Sequence, residues 1–162
     1  MKFLCDQMLA RLGKWLRAAG YDARIIDEPL RDRQVLEIAL AENRLLITRD
    51  RHFLHMKGAA PLLHYLKSND LIACMEELMQ QIAIDWLHAP FSRCLTCNTP
   101  LEIALNDSTE KIPQKIRQQK DTFWLCPQCK QFFWEGTHTA RMRSQLKRWQ
   151  EMAKKKREKT YD

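Results

Sequence analysis

The chain has 162 residues, 45% hydrophobic and 29% charged, with 4 Gly and 6 Pro. That is too apolar for a disordered chain and too short for more than one or two domains, and no apolar run approaches the ~18 residues of a membrane span. The formal net charge of +7 is uneven: residues 1–92 hold 12 Lys/Arg against 12 Asp/Glu, residues 93–162 hold 15 against 8. The whole excess therefore lies in the C-terminal part, which fits either a polyanionic partner, most simply nucleic acid, or a solvated basic tail. The opening Met1–Asp6 meets a carboxylate at once and is no signal peptide, so the expectation is a soluble cytoplasmic protein with no membrane partner.

In chain order, the pattern predicts a strand over Lys2–Asp6 and a helix over Gln7–Ala19, with Met8, Leu9, Leu12, Trp15 and Leu16 inward and Gly20 as its stop. A strand over Ala23–Asp27 and a helix over Arg33–Asn43 follow, the helix placing Val35, Leu36, Ala39 and Leu40 inward. Leu45–Thr48 reads as a third strand ending in Arg49-Asp50, and Pro61–Leu66 as a fourth. A helix over about Asp70–Leu87 takes Ser68 or Asn69 as its cap. Short strands alternating with helices imply an α/β fold with a doubly wound parallel sheet. Residues 93–136 differ: cysteine pairs, a polar loop around Asn106–Gln119 and the aromatic run Phe132-Phe133-Trp134. A basic helix over 138–159 carries Met142, Leu146 and Trp149 on one side. The division expected is 1–90, 91–137 and 138–162.

Of six cysteines, Cys5 and Cys74 stand alone in apolar surroundings and read as core residues. Cys94, Cys97, Cys126 and Cys129 form two C-x-x-C pairs separated by 28 residues. Each such turn presents two thiolates to one tetrahedral centre, and four thiolates leave no position for a reacting water. The expectation is a structural Zn²⁺ in a small zinc ribbon, with Asn98 and Lys130 where such turns often use Gly. Two readings fit the aromatics after the second pair: packing on the N-terminal part, or stacking on bases.

Three Asp residues occupy related places. Asp6 ends the first strand, Asp32 precedes the second helix and Asp50 ends the third strand. Ligands gather outside the carboxyl ends of parallel strands, and clustered carboxylates bind Mg²⁺ or Mn²⁺ while leaving room for water and phosphate. Each Asp also stands where a helix wants an N-cap, so capping is the competing explanation. Asp27 and Glu37 are further acids near that edge. Arg11, Lys14 and Arg17 at spacing three, with Arg49 and Arg51 around Asp50, supply cations for a phosphate backbone, or an ordinary charged face.

These segments together resemble the Mut-seven C-terminal ribonuclease domain family. The match runs through Cys5-Asp6-Gln7-Met8-Leu9-Ala10-Arg11-Leu12, Trp15-Leu16-Arg17, Gly20-Tyr21-Asp22 and Leu46-Ile47-Thr48-Arg49-Asp50. It continues through Arg93-Cys94, Cys97-Asn98, Cys126-Pro127-Gln128-Cys129 and Trp134-Glu135-Gly136-Thr137-His138. The resemblance implies a PIN-like nuclease unit fused to a zinc ribbon and acting on RNA with a divalent metal. Asp6, Asp32 and Asp50 would be its catalytic, metal-binding acids; Arg11, Lys14, Arg17, Arg49, Arg51, Arg93, Lys130 and Arg141 would hold RNA. Some relatives carry a fourth acid two residues after the third, where this chain has His52. His138 matches the family's Gly-x-His segment. The leading expectation is a metal-dependent ribonuclease; its rivals are a non-catalytic RNA-binding module, associated with tRNA or ribosomes, and a toxin or regulatory partner.

Overall fold

Short strands with the apolar runs Phe3-Leu4-Cys5 and Leu45-Leu46-Ile47 at their centre form the N-terminal sheet, as strands do when both faces are covered. In the computed structural model, which describes residues 1–105 and 110–158, β1 (Lys2–Cys5), β2 (Asp22–Ile25), β3 (Leu45–Thr48) and β4 (Leu63–Tyr65) lie in the order β2-β1-β3-β4, every pair parallel. Alternation sends Phe3, Cys5, Ala23 and Ile47 to one buried cluster and Leu4 and Leu46 to another. α1 (Ala10–Ala18) and α3 (Leu71–Gln81) close the first cluster with Leu12, Leu16, Met75 and Leu78, and α2 (Asp32–Ala41) closes the second with Val35, Leu36 and Ala39. The α/β expectation with a parallel sheet holds.

Several details differ. Asp6 caps a separate 3₁₀ turn, Gln7–Leu9, ahead of α1, and the change of winding turns Met8 outward, where it is 63% exposed. Leu40 is also exposed, because at about 100° per residue it stands roughly 90° from the middle of the 35/36/39 face. α3 is capped by Asp70, whose Oδ1 accepts from the N–H of Ile72 (2.8 Å) and Ala73 (3.1 Å); Ser68 instead spends its hydroxyl on Glu77. The helix ends at Gln81 because Ile82 is extended, and Ile84 and Trp86 reach the core from irregular chain.

The C-terminal part holds a three-stranded antiparallel sheet of β5 (Glu102–Ile103), β6 (Phe123–Leu125) and β7 (Phe132–Trp134), and a single turn α4 (Gln114–Arg117). Residues 106–109 of the expected polar loop lie outside the described residues. α5 (Thr137–Glu158) returns to the first core cluster through Leu146, Trp149 and Ala153. There the Trp149 ring meets Trp15 and Trp86 at centroid distances of 4.7 and 4.9 Å. This helix is anchored, not a free basic tail. Among the described residues, no helix is long and apolar enough to cross a membrane.

The connection from α3 to the cysteine turns crosses the end of α1. Ala89 and Phe91 donate their N–H groups to the carbonyls of Ala19 and Ala18, at 3.0 and 2.8 Å. Gly20 makes the crossing possible: its φ is +99°, and a Cβ there would stand 2.3 Å from the Ala89 carbonyl oxygen. Gly20→Ala combines left-handed strain with a backbone clash and should lower unfolding stability by about 1–3 kcal/mol or more in denaturant melts.

Candidate functional site

The order β2-β1-β3-β4 reverses direction between β1 and β3, which opens a crevice at their carboxyl ends. Asp6 follows β1. Its Oδ1 accepts from the Leu9 N–H at 3.0 Å, and its Oδ2 accepts from the Thr48 hydroxyl at 2.6 Å and the Arg49 N–H at 3.1 Å. The buried Thr48 Oγ1 accepts in turn from the Asp50 N–H at 3.0 Å. Asp50 caps the 3₁₀ turn Arg51–His55, accepting from the His52 N–H at 2.8 Å. The His52 ring Nδ1 lies 3.4 Å from Asp32 Oδ2.

The result amends the three-acid expectation. Asp32, Asp50 and His52 offer ligand atoms that all lie within 4.8 Å of one another, and Asp6 is outside that group. Asp6 and Asp50 are caps as well as acids, whereas Asp32 is the first residue of α2, whose cap is Arg31. His52, which the sequence presented as the absence of an acid, is the third potential ligand; an Asp-x-His turn directly after a strand is the signal that marked it. Among the described residues Asp27 and Glu37 do not join, and Glu37 pairs with Arg33 at 3.1 Å.

The expected cations divide. Arg11, Lys14, Arg51, Lys130 and Arg141 are exposed, with Arg51 Nε donating to the Tyr65 hydroxyl at 3.2 Å. Arg49 is half-buried, and its Nε is a buried atom with no hydrogen-bond partner among the described residues. Arg93 is half-buried and donates to the Asn98 carbonyl at 2.8 Å. Arg17 is a correction. It is only 5% exposed and donates to the carbonyls of Ala23 (2.8 Å), Leu95 (3.0 Å) and Thr96 (2.7 Å), so it is not available to RNA. Spacing three on a helix drifts by about 60° a step, which carries the third member of the ridge round to the buried side.

The carbonyls Arg17 meets belong to the first cysteine turn. The four sulfurs of Cys94, Cys97, Cys126 and Cys129 lie within 4.8 Å of one another, with Cys94–Cys129 at 3.6 Å and Cys97–Cys126 at 3.3 Å. Disulfide sulfurs stand about 2.05 Å apart, whereas sulfurs at about 2.3 Å around a tetrahedral zinc stand roughly 3.8 Å apart. The two turns are built alike. Asn98 and Lys130 take φ of +70° and +59°, and donate their N–H groups to the carbonyls of Cys94 (2.9 Å) and Cys126 (3.0 Å). Burial pushes the Cys94 thiol up to about 12. Burial also pushes Cys97 upward, but the Thr99 hydroxyl and N–H outweigh it and hold the thiol at about 6. The four cysteines could hold a metal ion such as zinc.

The same turn is fixed to the sheet edge. Asn98 Oδ1 accepts from the Ala23 N–H at 3.1 Å and its Nδ2 donates to Asp22 at 2.7 Å. Arg44 pairs with Asp22 at 2.7 Å on the other side. Burial pushes the Asp22 carboxyl up, but the Arg44 and Asn98 hydrogen bonds outweigh it and hold it below the usual carboxylate range.

The chain matches the Mut7-C RNAse domain family over residues 1–146. The human protein named exonuclease mut-7 homolog is 27% identical over 101 residues, which is 60% of this chain and 12% of that protein. The chain thus corresponds to a small part of the curated relative. No solved structure gives a match.

Metal analysis of the purified chain should find one zinc, and Cys126→Ala should lose it. Stripping it with a strong chelator should lower the melting temperature, because the turns held by Arg17 and Asp22 come apart with the centre. Binding should weaken as pH falls, since thiol protons compete with the ion.

Proposed function

The chain belongs to the Mut7-C RNAse domain family, and we propose that it is a divalent-metal-dependent ribonuclease hydrolysing phosphodiester bonds at the β1–β3 crevice. The observation that carries this reading is the meeting of Asp32, Asp50 and His52 where parallel sheets collect ligands. We read the α/β unit as PIN-like, with a structural zinc ribbon after it that assists RNA binding.

The donor set fits a divalent ion: two carboxylates and one imidazole supply three ligands and leave positions for water and a phosphate oxygen. The imidazole shifts the preference from Mg²⁺ toward Mn²⁺, because nitrogen suits the softer ion. A bound ion would favour the hydroxide form of a water and offset charge building on phosphorus. The chain's own residues supply the frame. Asp6, held by three donors, fixes the Arg49 backbone against β1. Half-buried Arg49, next to Asp50, brings a guanidinium charge toward the acids. Exposed Arg11, Lys14 and Arg51 extend the cationic surface for the backbone.

One observation favours a second reading. Asp6 accepts three protein hydrogen bonds and stands outside the group, which leaves two acids instead of a larger carboxylate set, and a non-catalytic RNA-binding module would have this arrangement too.

Asp50→Asn separates the two. Asn caps a turn about as well as Asp, so melting should change by no more than about 0.5 kcal/mol, while cleavage of RNA with Mn²⁺ should disappear. A wild-type protein that binds RNA but cuts none with Mn²⁺ or Mg²⁺ would give the second reading its case.

A further inference from the structure

Away from the crevice, β6, β7, the connection before the first cysteine turn and the first turns of α5 enclose a cavity of about 500 Å³, within the range of small-molecule sites, about 300–1,000 Å³. It shares no residue with the group Asp32, Asp50 and His52. Trp124 and Phe133 are register partners across β6 and β7, so their side chains stand on the same face of the small sheet, and both line the cavity. Both are half-buried, and neither joins a core cluster among the described residues. Packing on the N-terminal core therefore does not explain them.

The polar lining is cationic. The Arg143 guanidinium lies over the Phe91 ring at 4.9 Å and pairs with Glu135. Arg93 spends Nη1 on the Asn98 carbonyl, and its other donors make no hydrogen bond among the described residues. His138 completes the wall, which gives the Gly-x-His segment a location at this cavity and not at the acids.

We propose that this cavity is a base-binding pocket that receives one unstacked nucleotide of single-stranded RNA. The proposal rests on the RNA reading above and adds where the strand is held. Aromatic faces accept any base by stacking, and the Arg93 donors not spent on Asn98 take the adjoining phosphate. RNA matches both, and this part of the chain holds the whole of the +7 net charge. The pocket binds and does not cut, so its residues set affinity and not the rate of the bound complex.

The test uses the full zinc-loaded chain without added Mg²⁺ or Mn²⁺, so that RNA stays intact. Binding is measured to a short single-stranded oligoribonucleotide and to a duplex of the same sequence. Trp124→Leu and Phe133→Leu, with zinc content confirmed, should each weaken single-strand binding about fivefold or more, as loss of a stacked base does. Duplex binding should be unchanged. Should either variant fail to keep zinc, adenosine 5′-monophosphate is titrated into wild type. Quenching of tryptophan fluorescence then supports the pocket, because Trp15, Trp86 and Trp149 are packed on one another in the core; no quenching overturns it. Wild type that binds RNA, with both variants binding single strands equally well, overturns the pocket and leaves the ribonuclease reading standing. Wild type that binds no RNA in either form overturns both.

Discussion

A single buried hydroxyl organises the crevice. Thr48 is fully buried at the end of β3, donating to Asp6 and accepting from the Asp50 N–H. A buried hydroxyl without partners is costly, and one bonded to a carboxylate is strong, so the ends of β1 and β3 are locked together by a contact that also sets the direction of the chain after β3. That direction turns Asp50 into the cap of the following 3₁₀ turn and delivers its carboxylate and His52 to Asp32. Asp6 is the anchor of this arrangement, and its role is to hold the backbone from which the other groups project.

A second joint ties the cysteine turns to the same sheet. Asn98 takes a left-handed conformation that a glycine would take more cheaply. The side chain it keeps in exchange bonds Ala23 and Asp22, and Asp22 bonds Arg44. Arg17 reaches the opposite carbonyls of the same turn. Cysteine turn and β2 edge are therefore one mechanical unit, and an ion held by the four cysteines would act on the fold well beyond the small sheet. The Asp22 carboxyl, held below its ordinary range, contributes stability that is complete above the unfolded-state value and fades as pH falls through the folded-state one.

Much of this was legible in the sequence, and the losses have physical causes. Apolar runs such as Phe3-Leu4-Cys5 and Leu45-Leu46-Ile47 announce strands covered on both faces, and the two C-x-x-C pairs announce a metal centre, because both signals are local. Met8 and Leu40 were misplaced because a helical wheel assumes one unbroken winding and a wide inward face, whereas Asp6 starts a 3₁₀ turn and α2 buries only a narrow stripe. Arg17 was misread for a different reason. Its partners Leu95 and Thr96 lie nearly eighty positions away, and no periodicity within a helix reports them. His52 lies outside any pattern of acids, because the turn after Asp50 places an imidazole beside the two carboxylates.

The charge distribution now has a structural meaning. The half that carries Asp32, Asp50 and His52 is neutral overall, and acids at an open crevice repel a phosphate chain unless cations compensate. Arg49 and Arg51, on either side of Asp50, supply such cations, but locally balanced charge gives little attraction at a distance. The excess of positive charge lies instead almost wholly on α5, with eight Lys/Arg against two Asp/Glu, and α5 is pinned to the α/β core by Trp149 between Trp15 and Trp86. On the proposed function, an anionic strand would be drawn toward α5 and held at a fixed position relative to the acids. Attraction and the acidic site can then be tuned separately within one chain, because the groups responsible share no residues.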